Sequence, residues 1–230
     1  MKRRAVGAGL TALMLAATAL AGPAHAERKR PVAPGTGTAN PSALIATEIA
    51  FARMAREKGQ WTAFAAFADD AAVMFEPEQV QAKAWLKRQK NPPVPVQWEA
   101  YQVWMSCDGA MGVTKGGWTQ GASDGWFTTI WQRQKKGTYR WVLDHGETLA
   151  TPPAAPDMLS AKVASCAGKP SLPDAAPTDP ATQSGGASAD RTLRWRASVT
   201  GPDHRRQVTA WLWNGLAYDA VVTDMVVPTP

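Results

Sequence analysis

The sequence predicts an α+β fold: three N-terminal helices packed on one face of a curved antiparallel sheet, followed by a small three-stranded β meander. Three observations carry this. Apolar residues recur at helical spacing from about residue 40 to 89. The period then drops from 3.6 to 2 at Val96. The breaks between the strands that follow are short turns, which only antiparallel neighbours can use.

Asn40 suits a helix N-cap, and Pro41 suits the first helical position, where a missing N–H costs nothing. Leu44, Ile45, Ile49, Ala52 and Met54 continue that helix to about Lys58, and Gly59 stops it. A second helix from Gln60 turns Trp61, Phe64 and Phe67 inward. Asp69-Asp70 ends it, and residues 71–75 read as a short buried strand closed by Pro77. A third helix is expected over 79–89, before Asn91-Pro92-Pro93 forbids continuation. Four strands follow at about 96–107, 110–119, 124–135 and 138–148. Turn chemistry separates them at Asp108-Gly109, Gly121 to Gly125 and Lys136-Gly137.

Residues 150–190 are rich in Pro, Ala, Ser and Thr and read as a linker, with a short helix at Asp157–Ser165. Alternation resumes at Leu193, Trp195, Ala197 and Val199. Asn214-Gly215 then marks a two-residue hairpin between 207–213 and 216–222. Three strands over about 35 residues rarely stand alone, so the 191–226 meander is expected to pack back on the 40–149 domain or on a partner.

The N-terminus reads as an export signal. Lys2, Arg3 and Arg4 precede an apolar run to about Ala21, Gly22-Pro23 breaks it, and Ala24-His25-Ala26 offers a small-x-small cleavage site. The expectation is a signal peptide over 1–26, cleaved after Ala26, a flexible leader over 27–39, and a periplasmic or secreted protein with no membrane span once the signal is gone. Its removal lowers the formal charge from +6 to +3. No basic stripe interleaved with aromatics tracks phosphates, so nucleic-acid binding is not expected. Cys107 and Cys166, an even pair in an oxidising compartment, read as one disulfide. No cofactor is expected, and no metal, because after the signal only His145 and His204 remain and no Cys/His cluster has ligand spacing.

Three helices with a strand after the second, then four long antiparallel strands, resemble the cone-shaped nuclear-transport-factor-2-like superfamily over residues 43–149. Phe67 to Met74 is similar to the helix-to-strand junction of its SnoaL-like and ketosteroid-isomerase-like branches. Gly137 to Gly146 resembles the closing strand of the group called domain of unknown function 4440, with Tyr139 where that strand usually carries Trp. The resemblance implies a conical pocket between helices and sheet, and often a homodimer through the sheet. It does not imply one chemistry.

The candidate catalytic groups are Glu48, His145 and Asp144. Glu48 lies on the Leu44, Phe51, Ala52 stripe, so its carboxyl points inward, as a raised-pKa acid or as a structural group bonded to a Trp N–H. Asp144 and His145 are adjacent on a strand and face opposite sides, and His145 could pair with Glu48 across the pocket. Asp69-Asp70 reads chiefly as a turn pair. Eleven tryptophans suggest an aromatic-lined pocket for a small apolar or aromatic ligand, with Trp98, Trp104, Trp118 and Trp131 as candidate walls. The readings in order are an exported ligand-binding or accessory module, a cofactor-independent acid–base enzyme of isomerase, dehydratase or hydrolase type, and a structural or dimerisation domain.

Overall fold

The computed structural model describes residues 38–151, 154–171 and 182–227. The signal peptide and most of the leader lie outside the described residues. Helix α1 (Pro41–Lys58) begins as its sequence dictates: the Asn40 Oδ1 accepts from the Ala43 N–H at 3.2 Å. Arg56 and Lys58 sit in its last turn, where cations favour the helix dipole. Gly59 follows with φ 101°, and its missing side chain has a second use. A Cβ there would lie 2.2 Å from the Asn91 amide. Asn91 takes that space and caps α2 (Gln60–Phe67) from a distance, its Oδ1 accepting from the Trp61 and Thr62 N–H groups.

Strand β1 (Ala68–Phe75) starts earlier than expected and absorbs Asp69-Asp70. Asp69 accepts from the Ala71 N–H, and exposed Asp70 pairs with Lys83. The expected third helix is split. Residues Gln79–Gln81 form β2 against β1, and only Ala82–Leu86 form α3, capped by the Gln81 side chain. Strands β3 (Gln97–Met105), β4 (Met111–Gln120), β5 (Ser123–Arg133) and β6 (Tyr139–Leu149) form the antiparallel meander.

The large sheet is mixed and not closed, with seven strands in the order β2-β1-β6-β5-β4-β3-β7. This corrects the purely antiparallel expectation, since β1 runs parallel to β6 and β7 (Ser160–Val163) runs parallel to β3. It also replaces the helix expected at 157–165. The open edge of β3 offers backbone partners to that segment, the Cys107–Cys166 disulfide anchors it, and an unpaired strand edge is costly to leave bare. The two Cα atoms are 5.3 Å apart, at a sequence separation of 59. Closing a loop of that length removes unfolded-chain entropy, so replacing both cysteines by serine should cost roughly 2–4 kcal/mol. Urea denaturation of the two proteins checks this, and a difference below about 1 kcal/mol would contradict it.

The C-terminal meander has four strands where three were expected: β8 (Gln183–Ala187), β9 (Leu193–Thr200), β10 (Arg205–Trp213) and β11 (Tyr218–Val226). Its Asn214-Gly215 turn spans four residues, because the Asn214 Oδ1 accepts from both the Leu216 and Ala217 N–H groups. This sheet packs on the face of the large sheet opposite the helices. Leu193, Ala197, Val208, Ala210 and Leu212 meet Trp104, Val113, Ile130 and Leu143 there. The other core lies under the helices, around Leu44, Phe51, Val103, Met105, Trp131 and Trp141. Among the described residues no helix is long and apolar enough to cross a membrane.

Candidate ligand cavity

Between α1, α2 and the helix-facing side of the large sheet lies a cavity of about 280 Å³. Its walls are largely aromatic. Trp61 and Phe64 come from the inward face of α2, Phe51 from α1, Trp98 and Trp118 from β3 and β4, and Phe127 from β5. Trp98 and Trp118 face each other across the β3–β4 pair. Trp118 lies flat on Gly125, where a Cβ would come within 2.4 Å of its ring, and its N–H donates to the Trp126 carbonyl at 3.0 Å. Gln60, Gln120, Glu76, Asp144 and Glu147 supply the polar part of the lining.

Of the four tryptophans expected to line the pocket, Trp98 and Trp118 do. Trp104 does not, because the β3–β4 register shifts between Ala100 and Gln102. That bulge reverses the parity of the strand, so Trp104 faces the second sheet while Trp98 faces the helices. Trp131 is on the helix side but fully buried, its N–H donating to the Thr114 hydroxyl at 2.9 Å.

Glu48 is buried and structural in its contacts. Its carboxylate accepts from the Trp98 N–H and from the Thr114 hydroxyl, each at 2.7 Å, tying α1 to β3 and β4. Burial pushes its pKa up, and the bonds from Thr114 and Trp98 pull it back. It does not line the cavity.

Asp144 and His145 do face opposite sides of β6, and the side each takes is set by a second bulge. Register shifts between the Trp131 and Ile130 partners, leaving Val142 unpaired. Trp141 therefore faces the helices, whereas Leu143 and His145 face the second sheet. Asp144 is left on the helix side, where its Oδ2 accepts from the Thr129 hydroxyl at 2.6 Å and its surface borders the cavity. Burial pushes its pKa to about 7, opposed by the Thr129 bond and reinforced by the charge of Glu48.

The expected pairing of His145 with Glu48 does not form. Its Nε2 instead lies 3.2 Å from the Asp224 carboxylate on β11. Asp224 also accepts from the Thr128 hydroxyl at 2.7 Å and from the Lys115 ammonium. Burial holds the His145 pKa below its ordinary value despite Asp224, with Arg206 and Lys115 adding to the effect. The other ring nitrogen, Nδ1, is buried and has no hydrogen-bond partner among the described residues. Sequence reading passed over Asp224 and Lys115, yet both carry a signal: a charge at a buried parity, between Val222 and Val226 for Asp224 and next to Val113 for Lys115.

No protein-family model matches the chain, and no curated protein matches it. Solved structures are similar over about half of it. A provisionally named ketosteroid isomerase from Parabacteroides distasonis gives a TM-score of 0.40 at 12% identity, covering 51% of this chain and 96% of that one. A conserved protein from Planctomyces limnophilus gives 0.36 at 13%, covering 47% and 97%. Another provisionally named ketosteroid isomerase, from Kribbella flavida, gives 0.35 at 17%, covering 49% and 84%. The fold is α+β by its own helices and sheets. No residue role transfers at these identities.

Proposed function

We propose that this chain is an exported small-ligand-binding module, with a conical pocket between the helices and the large sheet that takes a small apolar or aromatic molecule. One observation carries the reading: a cavity of about 280 Å³ walled by aromatic rings, with the Asp144 carboxyl, hydrogen-bonded to Thr129, set among them on the sheet. Ligand sites typically combine apolar walls with a few placed polar groups. Ligand pockets typically measure roughly 300–1,000 Å³, so this one stands at the small end and suits a small ligand. Export is supported by the signal pattern of residues 1–26 and by the disulfide, which persists in oxidising compartments.

A second reading, acid–base catalysis without a cofactor, is favoured by Asp144 specifically. A carboxyl near 7 is half-ionised at neutral pH, which is what proton transfer requires. With Glu48 tied to Trp98 and Thr114, and His145 turned to Asp224, Asp144 would carry that chemistry. The assembly reading has less support. The face a sheet-to-sheet homodimer would use is filled by the chain's own second sheet, so a homodimer would need another surface.

Native mass spectrometry of the mature protein from its own cells tests the binding reading. The expected spectrum shows residues 27–230 less the two disulfide hydrogens, plus a small adduct that Trp118→Ala loses. An unliganded mass in every preparation, with no spectral response to any small aromatic probe, would sink it.

A further inference from the structure

Resting on that pocket reading, we propose that the ligand is an organic cation, an aromatic or apolar amine bound as its ammonium. Among the described residues, the carboxylates that line the cavity are Asp144, Glu76 and Glu147, and no Lys or Arg lines it. The nearby cations stand behind the wall. Arg206, from β10, donates to the Glu147 carboxylate at 2.9 Å and to the Gly146 carbonyl at 3.1 Å, and stacks over Phe75. Lys115 is on the opposite face of the sheet with Asp224, over the Trp126 ring. An anionic ligand would therefore meet carboxylates and no counter-charge.

The aromatic walls favour the same charge. Phe51 and Phe64 meet at 64°, Phe64 and Trp98 at 67°, and Trp61 and Phe64 at 74°. Aromatic rings are apolar surface that still attracts positive charge through the ring face. The indole N–H groups of Trp98 and Trp118 are already engaged by Glu48 and the Trp126 carbonyl, so they offer nothing to an anion.

Calorimetric titration of the mature protein with benzylammonium chloride, benzyl alcohol and sodium benzoate, at matched ionic strength and about pH 8, separates the outcomes. Benzylammonium should bind about tenfold tighter than its uncharged isostere, and benzoate should not bind. Lowering the pH to about 6 should weaken benzylammonium several-fold as Asp144 takes up a proton, and leave benzyl alcohol unchanged. Glu76→Gln, at the exposed rim and harmless to folding, should weaken benzylammonium alone, by about threefold. Benzyl alcohol or benzoate binding as tightly as benzylammonium would overturn the cation assignment and leave the pocket standing. Silence from all three at millimolar concentration would overturn the pocket itself.

Discussion

Replacing Asp224 by alanine is expected to destabilise the protein by about 3–5 kcal/mol, the range for breaking one partner out of a buried ionic network. Asp224 is 5% exposed and holds three donors, on Lys115, Thr128 and His145, between the two sheets. Without it the Lys115 charge has no counter-ion there, and two buried donors have no acceptor. Asp224→Asn should cost less, because the amide oxygen can still accept. A joint replacement of Lys115 by Met and Asp224 by Leu should recover most of the loss, since an apolar pair leaves nothing unsatisfied.

The pH dependence has a fixed sign. Burial alone would raise the Asp224 pKa, but the bonds from His145 and Lys115 outweigh it and the net shift is downward. Its contribution is therefore present above its ordinary 3.8 and lost as pH falls through the folded value. His145 is also depressed, so its contribution fades as pH drops below 6.5. Acid should loosen the contact between the sheets on both counts. Urea denaturation across pH checks the series, and an Asp224→Ala cost below about 1 kcal/mol would remove the network from the account.

Asp144→Asn is expected to act in the opposite direction, making the protein more stable at neutral and basic pH. The folded carboxyl titrates at about 7 against an ordinary 3.8. Between those values the folded state keeps a proton the unfolded chain has released, so this group lowers stability as pH rises from about 4 to 7. At 1.36 kcal/mol per unit the full shift is worth about 4 kcal/mol. The asparagine side chain cannot ionise and still offers an oxygen to Thr129. The substituted protein should gain up to that amount above pH 7, with a melting temperature higher by about 2–4 °C per kcal/mol for a chain of this size. The gain should vanish near pH 4. A difference that does not change with pH would show that Asp144 ionises freely. A stabilising substitution in a cavity is also the signature of a group kept for function at a cost to the fold.

The local elements were legible because their causes are local. Asn40-Pro41 opens α1 where its capping chemistry says it should, and the four strands from β3 to β6 fall within two or three residues of the period-2 pattern. The Cys107–Cys166 pairing was legible for a different reason, namely that the sequence has no other cysteines. Strand β7 was not, since four exposed residues without alternation become a strand only when the edge of β3 is beside them. The bulges on β3 and β6 left no compositional mark either. They decided which of Trp98 and Trp104 meets the cavity, and that Asp144 takes the helix side of β6 while His145 turns to Asp224.

Taken alone, the sequence determined where α1 and the strands β3 to β6 begin and end, that each of those strands has two unlike faces, and which cysteines can join. The tertiary structure decided what covers each face. Strand alternation distinguishes two sides without naming the layer that packs on either, and one extra residue in a strand exchanges them. Helices cover one side of the large sheet and leave Asp144 in an aromatic cavity. The chain's own second sheet covers the other and holds His145 against Asp224, a partner 79 residues away.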